Sequence, residues 1–354
     1  MKPSFWQGKR VFITGHTGFK GGWLCLWLKS LGSDVTGYAL EPATSPSLFE
    51  SADVGYGMQS IIGDVRDSEK LQKTIQDASP DIVIHMAAQS LVRYSYRHPV
   101  ETYEVNVMGT VHVLEAVRKC ASVHAVLVVT SDKCYENRER EAGYREEEAM
   151  GGFDPYSSSK GCAELVVSAY RQSYFGTSDS VAVASARAGN VIGGGDWSED
   201  RLIPDMVRSF TQEREVTIRN PSAVRPWQHV FEALNGYLLL IENMWDQPDA
   251  FSEAWNFGPE DTDTKMVSWI VEHFASHWGN AIWSAEENTE QPHEAQTLRL
   301  DCSKARTRLC WQPALKLELA LEWMAQWYQC HYKNKDTALL SLHQLEKFQK
   351  MVKS

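Results

Sequence analysis

Residues 9–14 (Lys-Arg-Val-Phe-Ile-Thr) have the composition of a buried strand, and they run straight into Gly15-His16-Thr17-Gly18-Phe19-Lys20-Gly21, which opens a helix-patterned stretch over 18–31. This strand, glycine turn and helix limit what the chain can become. Glycines at 15, 18 and 21 permit a tight turn and a close approach of backbone to a ligand, and the N-terminus of the helix that follows favours an anion. Further apolar runs at 34–38, 81–86, 125–130 and 181–187 alternate with helical periodicity over 100–119 and 156–174. Such alternation predicts an α/β fold built on a doubly wound parallel sheet. After about Gly189 the pattern gives way to segments rich in Gly, Pro and Trp, which predict a smaller mixed α/β lobe. The expected division is a dinucleotide-binding domain over 1–188, with the chain returning to it at about 226–256, and a second lobe from 189–225 and 257–354.

The 354 residues can bury a large core, and 43% hydrophobic with 23% charged residues is ordinary for a soluble globular protein. No run of about 18 consecutive apolar residues occurs, so no membrane span is expected. The opening Met-Lys-Pro-Ser-Phe-Trp leads almost at once into a strand, leaving no room for a signal peptide; a cytoplasmic protein is expected. A net charge of −11 without a dense Lys/Arg block argues against nucleic acid and anionic membranes as partners. Seven scattered cysteines with no CxxC pair fit reduced thiols. His273 and His277 lie four apart on an expected helix, but no third ligand is evident nearby. They read as a solvated helix face, and no metal site is expected. The Glu/Arg-rich run 136–148 reads as an exposed loop.

The chemistry-bearing segment is Tyr156-Ser157-Ser158-Ser159-Lys160. Positions i and i+4 adjoin on a helix, so Lys160 sits beside Tyr156, and a nearby cation is expected to lower a phenol pKa that is about 10 when unperturbed. Tyr156 would then take the proton of an alcohol whose carbon loses hydride, with Ser131, just past the strand at 125–130, bonded to the same hydroxyl. The nicotinamide cofactor is read as NAD. The tip of the second strand carries Tyr38-Ala39-Leu40 in place of an acid, yet no Lys or Arg occurs from Ser33 to Ser60 to meet a 2′-phosphate. Asp64 follows the third strand, where a carboxylate can cap the next helix.

In this order the motifs resemble the extended short-chain dehydrogenase/reductase family, in its nucleotide-sugar branch, and nearly the whole chain takes part. The segments are GHTGFKGG at 15–22, PSLFE at 46–50, HMAAQ at 85–89, TSDKCY at 130–135, RAGNVIGGGDW at 187–197, RPWQHV at 225–230 and WNFGP at 255–259. Within the branch the likeness is greatest to the 4,6-dehydratases acting on CDP-glucose, which implies a Rossmann-like fold and a hydro-lyase of deoxysugar and lipopolysaccharide biosynthesis. It implies NAD contacts at Gly15, Thr17, Gly18, Phe19, Lys20, Gly21, Asp64, Val65, Ala87, Ala88, Thr130, Tyr156 and Lys160. For CDP-glucose it implies Gln89, Asn190, Arg201 and Arg225, with Asp196 and Arg219 either substrate contacts or surface groups. Trp197, Trp227 and Trp255 are either part of that lobe's site or simply its packing.

The resemblance also assigns the reaction. The related dTDP-glucose enzymes carry Asp-Glu after the Ser/Thr, and this chain has Asp132-Lys133. Ser131, Tyr156 and Lys160 are thus expected to serve oxidation at C4, which acidifies the C5 hydrogen. Asp132 is then the acid for the C6 hydroxyl and Lys133 the base for C5, its ammonium destabilised by burial beside other cations. A nucleotide-sugar 4-epimerase and a non-catalytic NAD(P) sensor stay open as alternatives. A homodimer or homotetramer is expected through helices 100–119 and 156–174, with Val167, Tyr170 and Tyr174 forming an exposed patch. Titration of the apo-protein should show tighter binding of NAD than of NADP, and the reverse order would overturn the cofactor reading.

Overall fold

The computed structural model describes residues 1–176, 181–279, 281–285 and 298–353. Its centre is a seven-stranded sheet whose strands are β1 (Arg10–Thr14), β2 (Asp34–Ala39), β3 (Gln59–Ile62), β4 (Ile82–His85), β5 (Ala125–Val129), β6 (Ala182–Arg187) and β7 (Ala254–Asn256). The spatial order is β7-β6-β5-β4-β1-β2-β3, and every pairing is parallel. This is the doubly wound, Rossmann-like sheet expected from the alternating pattern.

Side-chain alternation on the strands sorts the core into two layers, because successive residues of a strand face opposite ways. Val11, Ile13, Ile82, Ile84 and Leu127 enter one cluster, packed with Leu24 and Leu28 of helix Phe19–Ser30 and Leu234 and Leu238 of helix Val230–Asp246. Phe12, Val83, Val126 and Val128 enter the other, against Leu71, Val113, Val117 and Val167. Both faces are therefore covered, which is why β4, β5 and β6 are buried at every position. Val167 belongs to this core at 0% exposure, so it cannot join an exposed patch; Leu165 at 60% and Tyr174 at 55% are the exposed large apolar residues of that helix.

The expected continuous helix over 100–119 is interrupted. The chain forms helix Pro99–Tyr103, a π-helical turn Glu104–Met108, and helix Gly109–Arg118. Within the turn, the Asn106 side chain accepts from Gln89 N–H at 2.9 Å, donates to Gln89 C=O at 2.9 Å and donates to Ser159 Oγ at 2.8 Å. Periodicity alone does not report such bonds, and bulges of this kind recur at functional sites.

Beyond β6 three short strand pairs build the smaller lobe: Val191–Ile192 with Gln228–His229, Val224–Pro226 with Thr264–Met266, and Val216–Ile218 with Trp283–Ala285. Helices Leu202–Thr211, Val267–Trp278, Leu317–Tyr332 and Thr337–Met351 complete it. Trp197 meets Trp327 and Tyr328 edge-on, and Trp255 stacks on Phe251, so these tryptophans are packing elements. All seven cysteines are free. Among the described residues no helix is long and apolar enough to cross a membrane.

Leu127 sits in the sheet at 0% exposure, whereas Tyr56 is 79% exposed. Leu127→Ala should lower stability by about 2–5 kcal/mol, and Tyr56→Ala should change it by less than about 0.5 kcal/mol, as read by denaturant unfolding.

Candidate active site

Three loops leave the carboxyl ends of neighbouring strands on one edge of the sheet, and order reverses between β1 and β4, the position where such sheets bind ligands. The glycine turn follows β1. A Cβ at Gly21 would stand 2.1 Å from Gly15 O, so only glycine lets the helix start this close to the turn. Gly18 caps helix Phe19–Ser30 without any side-chain acceptor, leaving the first N–H groups turned outward. Thr17 Oγ1 donates to Leu40 C=O at 2.8 Å and ties the turn to the tip of β2. Ala87 N–H reaches Thr14 Oγ1 at 3.2 Å, and Ala88 follows it on the loop after β4. This cradle fits the pyrophosphate of a dinucleotide.

Asp64 is not a helix cap. Its carboxylate binds the Arg66 N–H at 2.9 Å and the Arg66 guanidinium at 2.6 Å, while Asp67 caps helix Ser68–Ala78. Val65 beside it is buried, and its carbonyl is paired with the His112 ring at 2.9 Å.

The helix that carries Tyr156 and Lys160 starts where it does for local reasons. Asp154 is the N-cap, accepting from Ser157 N–H at 2.9 Å and from Ser157 Oγ at 2.6 Å, and Pro155 occupies the first helical turn, where its missing N–H costs nothing. Tyr156 and Lys160 then face β5 from helix Pro155–Tyr174, both buried. After β5, Ser131 is extended and caps a short turn Asp132–Cys134, accepting from Lys133 N–H at 3.2 Å. Its hydroxyl donates to Asp132 Oδ1 at 2.9 Å. Gly189 must be glycine here, since a Cβ would lie 1.8 Å from Asp132 Oδ2. Ser131, Asp132, Tyr156 and Lys160 are thus brought together; Lys133 stands at the same turn and is half-buried, less enclosed than Tyr156 and Lys160.

The electrostatics correct a second expectation. Tyr156 is not shifted toward phenolate: burial raises its pKa to about 12, with Ser131 pulling the other way and Asp132 adding to the rise. Burial lowers Lys160 to about 8 against the opposing pull of Glu164. Lys20, whose Nζ is 3.4 Å from Tyr237 Oη, is lowered to about 7 by burial, with Lys160 and Arg201 reinforcing the shift and Asp132 resisting it. Lys20 and Arg201 therefore share one electrostatic neighbourhood with Asp132 and Lys160.

Beneath these residues lies a buried ion pair absent from the sequence reading. Glu164 and Arg187 side chains are each 4% exposed and meet at 2.7 Å. Glu164 also receives bonds from Thr130 Oγ1 and from Ser185 Oγ, the latter at 2.8 Å. Arg187 bonds Tyr135 Oη at 2.6 Å and Glu146 C=O at 3.0 Å. The available signal was the position of Glu164, one turn after Lys160 on the same helix face. Nor is the 136–148 run simply an exposed loop. Tyr144 is 3% exposed, and Glu146 Oε1 accepts from Asn256 N–H at 2.9 Å.

On the opposite wall, Arg201 forms an ion pair with Asp196 at 2.9 Å and reaches Ser90 Oγ at 3.2 Å. Gln89 donates to Thr102 Oγ1 at 2.9 Å and is held through its backbone by Asn106. Asn190 has φ 48° and its carbonyl accepts from Gln228 N–H at 3.3 Å. Arg225 lies on strand Val224–Pro226. Arg219 is farther out, paired with Asp200 at 3.0 Å and Asp205 at 3.8 Å. A small cavity lined by Asp132, Gly189, Gln228 and Arg299 opens behind the Asp132 carboxylate. Within the described residues, Gln228 Oε1 and Arg299 Nε are buried there without hydrogen-bond partners. His273 stacks on Trp269 with centroids 3.6 Å apart, and His277 is exposed.

A glycine cradle after β1, with Ser, Tyr and Lys assembled past β5, defines the dehydrogenase/reductase class to which nucleotide-sugar dehydratases and epimerases belong. Residues 12–324 match the family model described as GDP-mannose 4,6 dehydratase, and the chain belongs to that family. It is 52% identical over 349 residues to CDP-glucose 4,6-dehydratase of Salmonella typhimurium, covering 98% of this chain and 97% of that protein. It is 25% identical to dTDP-glucose 4,6-dehydratase of Xanthomonas campestris pv. campestris, covering 89% and 92%. Among solved structures, UDP-glucose-4-epimerase of Stenotrophomonas maltophila superposes with a TM-score of 0.79 at 20% identity, covering 92% and 99%. The dTDP-glucose 4,6-dehydratase of Bacillus anthracis, solved in complex with NAD, gives 0.75 at 21%, covering 91% and 97%.

Breaking the buried pair from one side leaves an uncompensated charge. Arg187→Met should destabilise by about 3–5 kcal/mol, and the double variant Glu164→Gln/Arg187→Met should be less destabilised than the sum of the single changes. A double-mutant cycle in denaturant checks both.

Proposed function

We infer that this chain is a hydro-lyase that converts CDP-glucose to CDP-4-keto-6-deoxyglucose and water. The observation that carries the reading is the Ser131-Asp132-Lys133 turn beside Tyr156 and Lys160, in a chain 52% identical along nearly its whole length to a CDP-glucose 4,6-dehydratase. The choice of cytosine as the base rests on that relative.

NAD, held on the glycine cradle, would supply the acceptor for the C4 hydride and the donor of hydride to C6. Gly15, Thr17, Gly18, Phe19, Lys20 and Gly21 would hold its pyrophosphate end, with Asp64, Val65, Ala87, Ala88 and Thr130 along the rest of the cofactor. Tyr156 and Ser131 hold the C4 hydroxyl between them, and Lys160 supplies positive charge beside Tyr156. Oxidation of C4 acidifies the C5 hydrogen; Lys133 removes it while Asp132 protonates the departing C6 hydroxyl. Lys133 is half-buried on the turn, its N–H bonded to Ser131 Oγ at 3.2 Å. Arg201 and Arg225 offer fork-shaped donors to the diphosphate, with Gln89, Asn190, Asp196 and Arg219 completing the substrate set.

The enzyme is assigned to the cytoplasm, to deoxysugar synthesis for lipopolysaccharide, and to a homodimer or homotetramer. Assembly through helix Pro155–Tyr174 and its neighbours would cover Val100, Met108, Leu165 and Tyr174, which are 69%, 45%, 60% and 55% exposed. Light scattering should show no monomer at micromolar concentration.

Incubation with CDP-glucose should yield the near-ultraviolet absorbance that a 4-keto-6-deoxy sugar develops in base. CDP-galactose without that absorbance would identify an epimerase, and no product would identify a sensor. Lys133→Ala should oxidise C4 yet fail to eliminate, holding NADH and a 4-keto-glucose on the enzyme, whereas Tyr156→Phe should stop before NADH forms. Dehydration by Lys133→Ala at the native rate would remove Lys133 as the base.

A further inference from the structure

Beneath the loop that follows β4, three buried side chains form a hydrogen-bonded path that the reaction described above does not use. Thr14 ends β1 and His85 ends β4, and the two are partners in the register of these strands. Thr14, His85 and Thr110 are all buried. Thr14 Oγ1 lies 2.7 Å from His85 Nδ1, and His85 Nε2 lies 3.2 Å from Thr110 Oγ1. The direction of each bond follows from the far end of the path. Thr110 Oγ1 donates its one proton to Asn106 C=O at 2.7 Å, so it can only accept from His85, and Nε2 carries the hydrogen. At the other end, Thr14 Oγ1 accepts the N–H groups of Met86 at 3.1 Å and Ala87 at 3.2 Å. A charged ring would aim a third N–H at that oxygen, so the bonds call for a neutral ring whose bare Nδ1 accepts from Thr14. Burial, with Lys160 adding to it, lowers the His85 pKa to about 3, in keeping with that form. Met86 N–H also reaches Thr14 C=O at 3.1 Å, whereas Ala87 N–H bonds the hydroxyl. Ala87 is pressed against the glycine turn: a Cβ at Gly15 would stand 2.7 Å from Ala87 N. The far end of the loop is held by the π-helical turn, where Asn106 binds both backbone groups of Gln89.

We propose that Thr14, His85 and Thr110 are positioning residues for NAD: the path through the His85 ring holds the 86–89 loop against the glycine turn and so sets the affinity for the cofactor. This rests on the cradle reading above and adds three buried residues to what shapes the cradle. Thr110 fixes which ring nitrogen carries the hydrogen, the ring fixes where the Thr14 proton points, and that leaves both lone pairs of Thr14 Oγ1 for the loop amides. A wrong tautomer would turn Nδ1–H toward Thr14 and compete with Ala87 for the same oxygen.

The test titrates NAD into the nucleotide-free protein by calorimetry and, separately, measures kcat with CDP-glucose at saturating NAD. Thr14→Ser, which keeps the hydroxyl, should bind NAD as the native protein does. Thr14→Val should raise the Kd about 10-fold, because a buried amide loses its acceptor. At His85 two substitutions separate the path from packing. Asparagine places an oxygen where Nδ1 stands and keeps the acceptor for Thr14; glutamine fills more of the ring's volume but puts its amide nitrogen where Nε2 stands. His85→Asn should therefore bind NAD within about threefold of native and His85→Gln about 10-fold more weakly, the reverse of what filling space predicts. Thr110→Val should weaken NAD binding by itself and add nothing to His85→Asn, whose amide oxygen accepts without a tautomer to be set. In every variant kcat at saturating NAD should stay within about threefold of native. Circular dichroism identifies any variant that does not fold, and the Thr14 and His85 pairs each decide the matter without the other. Equal NAD affinity in the two His85 variants, or tighter binding by His85→Gln, would overturn the proposal, as would a fall in kcat with the Kd unchanged. A native protein that does not bind NAD would instead remove the cradle reading.

Discussion

The placement of the candidate catalytic residues depends on the ion pair between Glu164 and Arg187. Charges this deeply buried cost several kcal/mol each to desolvate, and the cost is offset only where hydrogen bonds take up the remaining polar atoms. Glu164 meets that condition through Thr130, Ser185 and Arg187. Each partner belongs to a different part of the site: Thr130 immediately precedes Ser131, Ser185 and Arg187 are on β6, and Glu164 is one turn beyond Lys160. The pair thus joins the helix carrying Tyr156 and Lys160 to the turn carrying Ser131 and Asp132. Through the Glu146 carbonyl and Tyr135 it also adds to the contacts that hold the 136–148 segment against the turn.

Around Asp132 the charge balance is uneven. Lys20, Lys160 and Arg201 lie in its neighbourhood, and Arg201 is already partnered by Asp196. An excess of cations suits a substrate that brings a diphosphate and develops negative charge on oxygen as its C5 proton leaves. The same excess helps explain why Lys20 holds its proton less firmly than a free lysine does. Burial is the main cause for both Lys20 and Lys160, and for Lys20 the other cations add to it.

The features that proved readable from the chain are those written in short segments. The strand-to-glycine-turn unit, the order of strands and helices, and the Tyr156/Lys160 spacing each follow from local periodicity and from what glycine permits. What was hidden depends on contacts between distant segments. The Tyr156 phenol was expected to fall in pKa because Lys160 is near. How deeply the ring is buried is set by the whole fold, and that burial outweighs the groups that pull the pKa down. Val167 looked available for an interface, but its side of the helix faces the sheet. The break at Glu104–Met108 follows from bonds between Asn106 and residues on two other segments. The 136–148 run has the composition of a loop and is one, but two of its residues are drawn inward by partners more than 40 positions away.

The π-helical turn has one more consequence, for how the chain tolerates changes in length. A helix on the outside of a sheet usually absorbs a one-residue insertion or deletion at its ends. Here the extra residue of the wide turn lies in the middle, and removing it would let the segment close into ordinary helix. Every residue on one side would then rotate by about 100° relative to the other. Asn106 would swing off Gln89 and Ser159, or Val113 and Val117 would turn away from the sheet. The stretch between Pro99 and Arg118 is therefore a place where substitutions can accumulate on the outer face while the number of residues stays fixed.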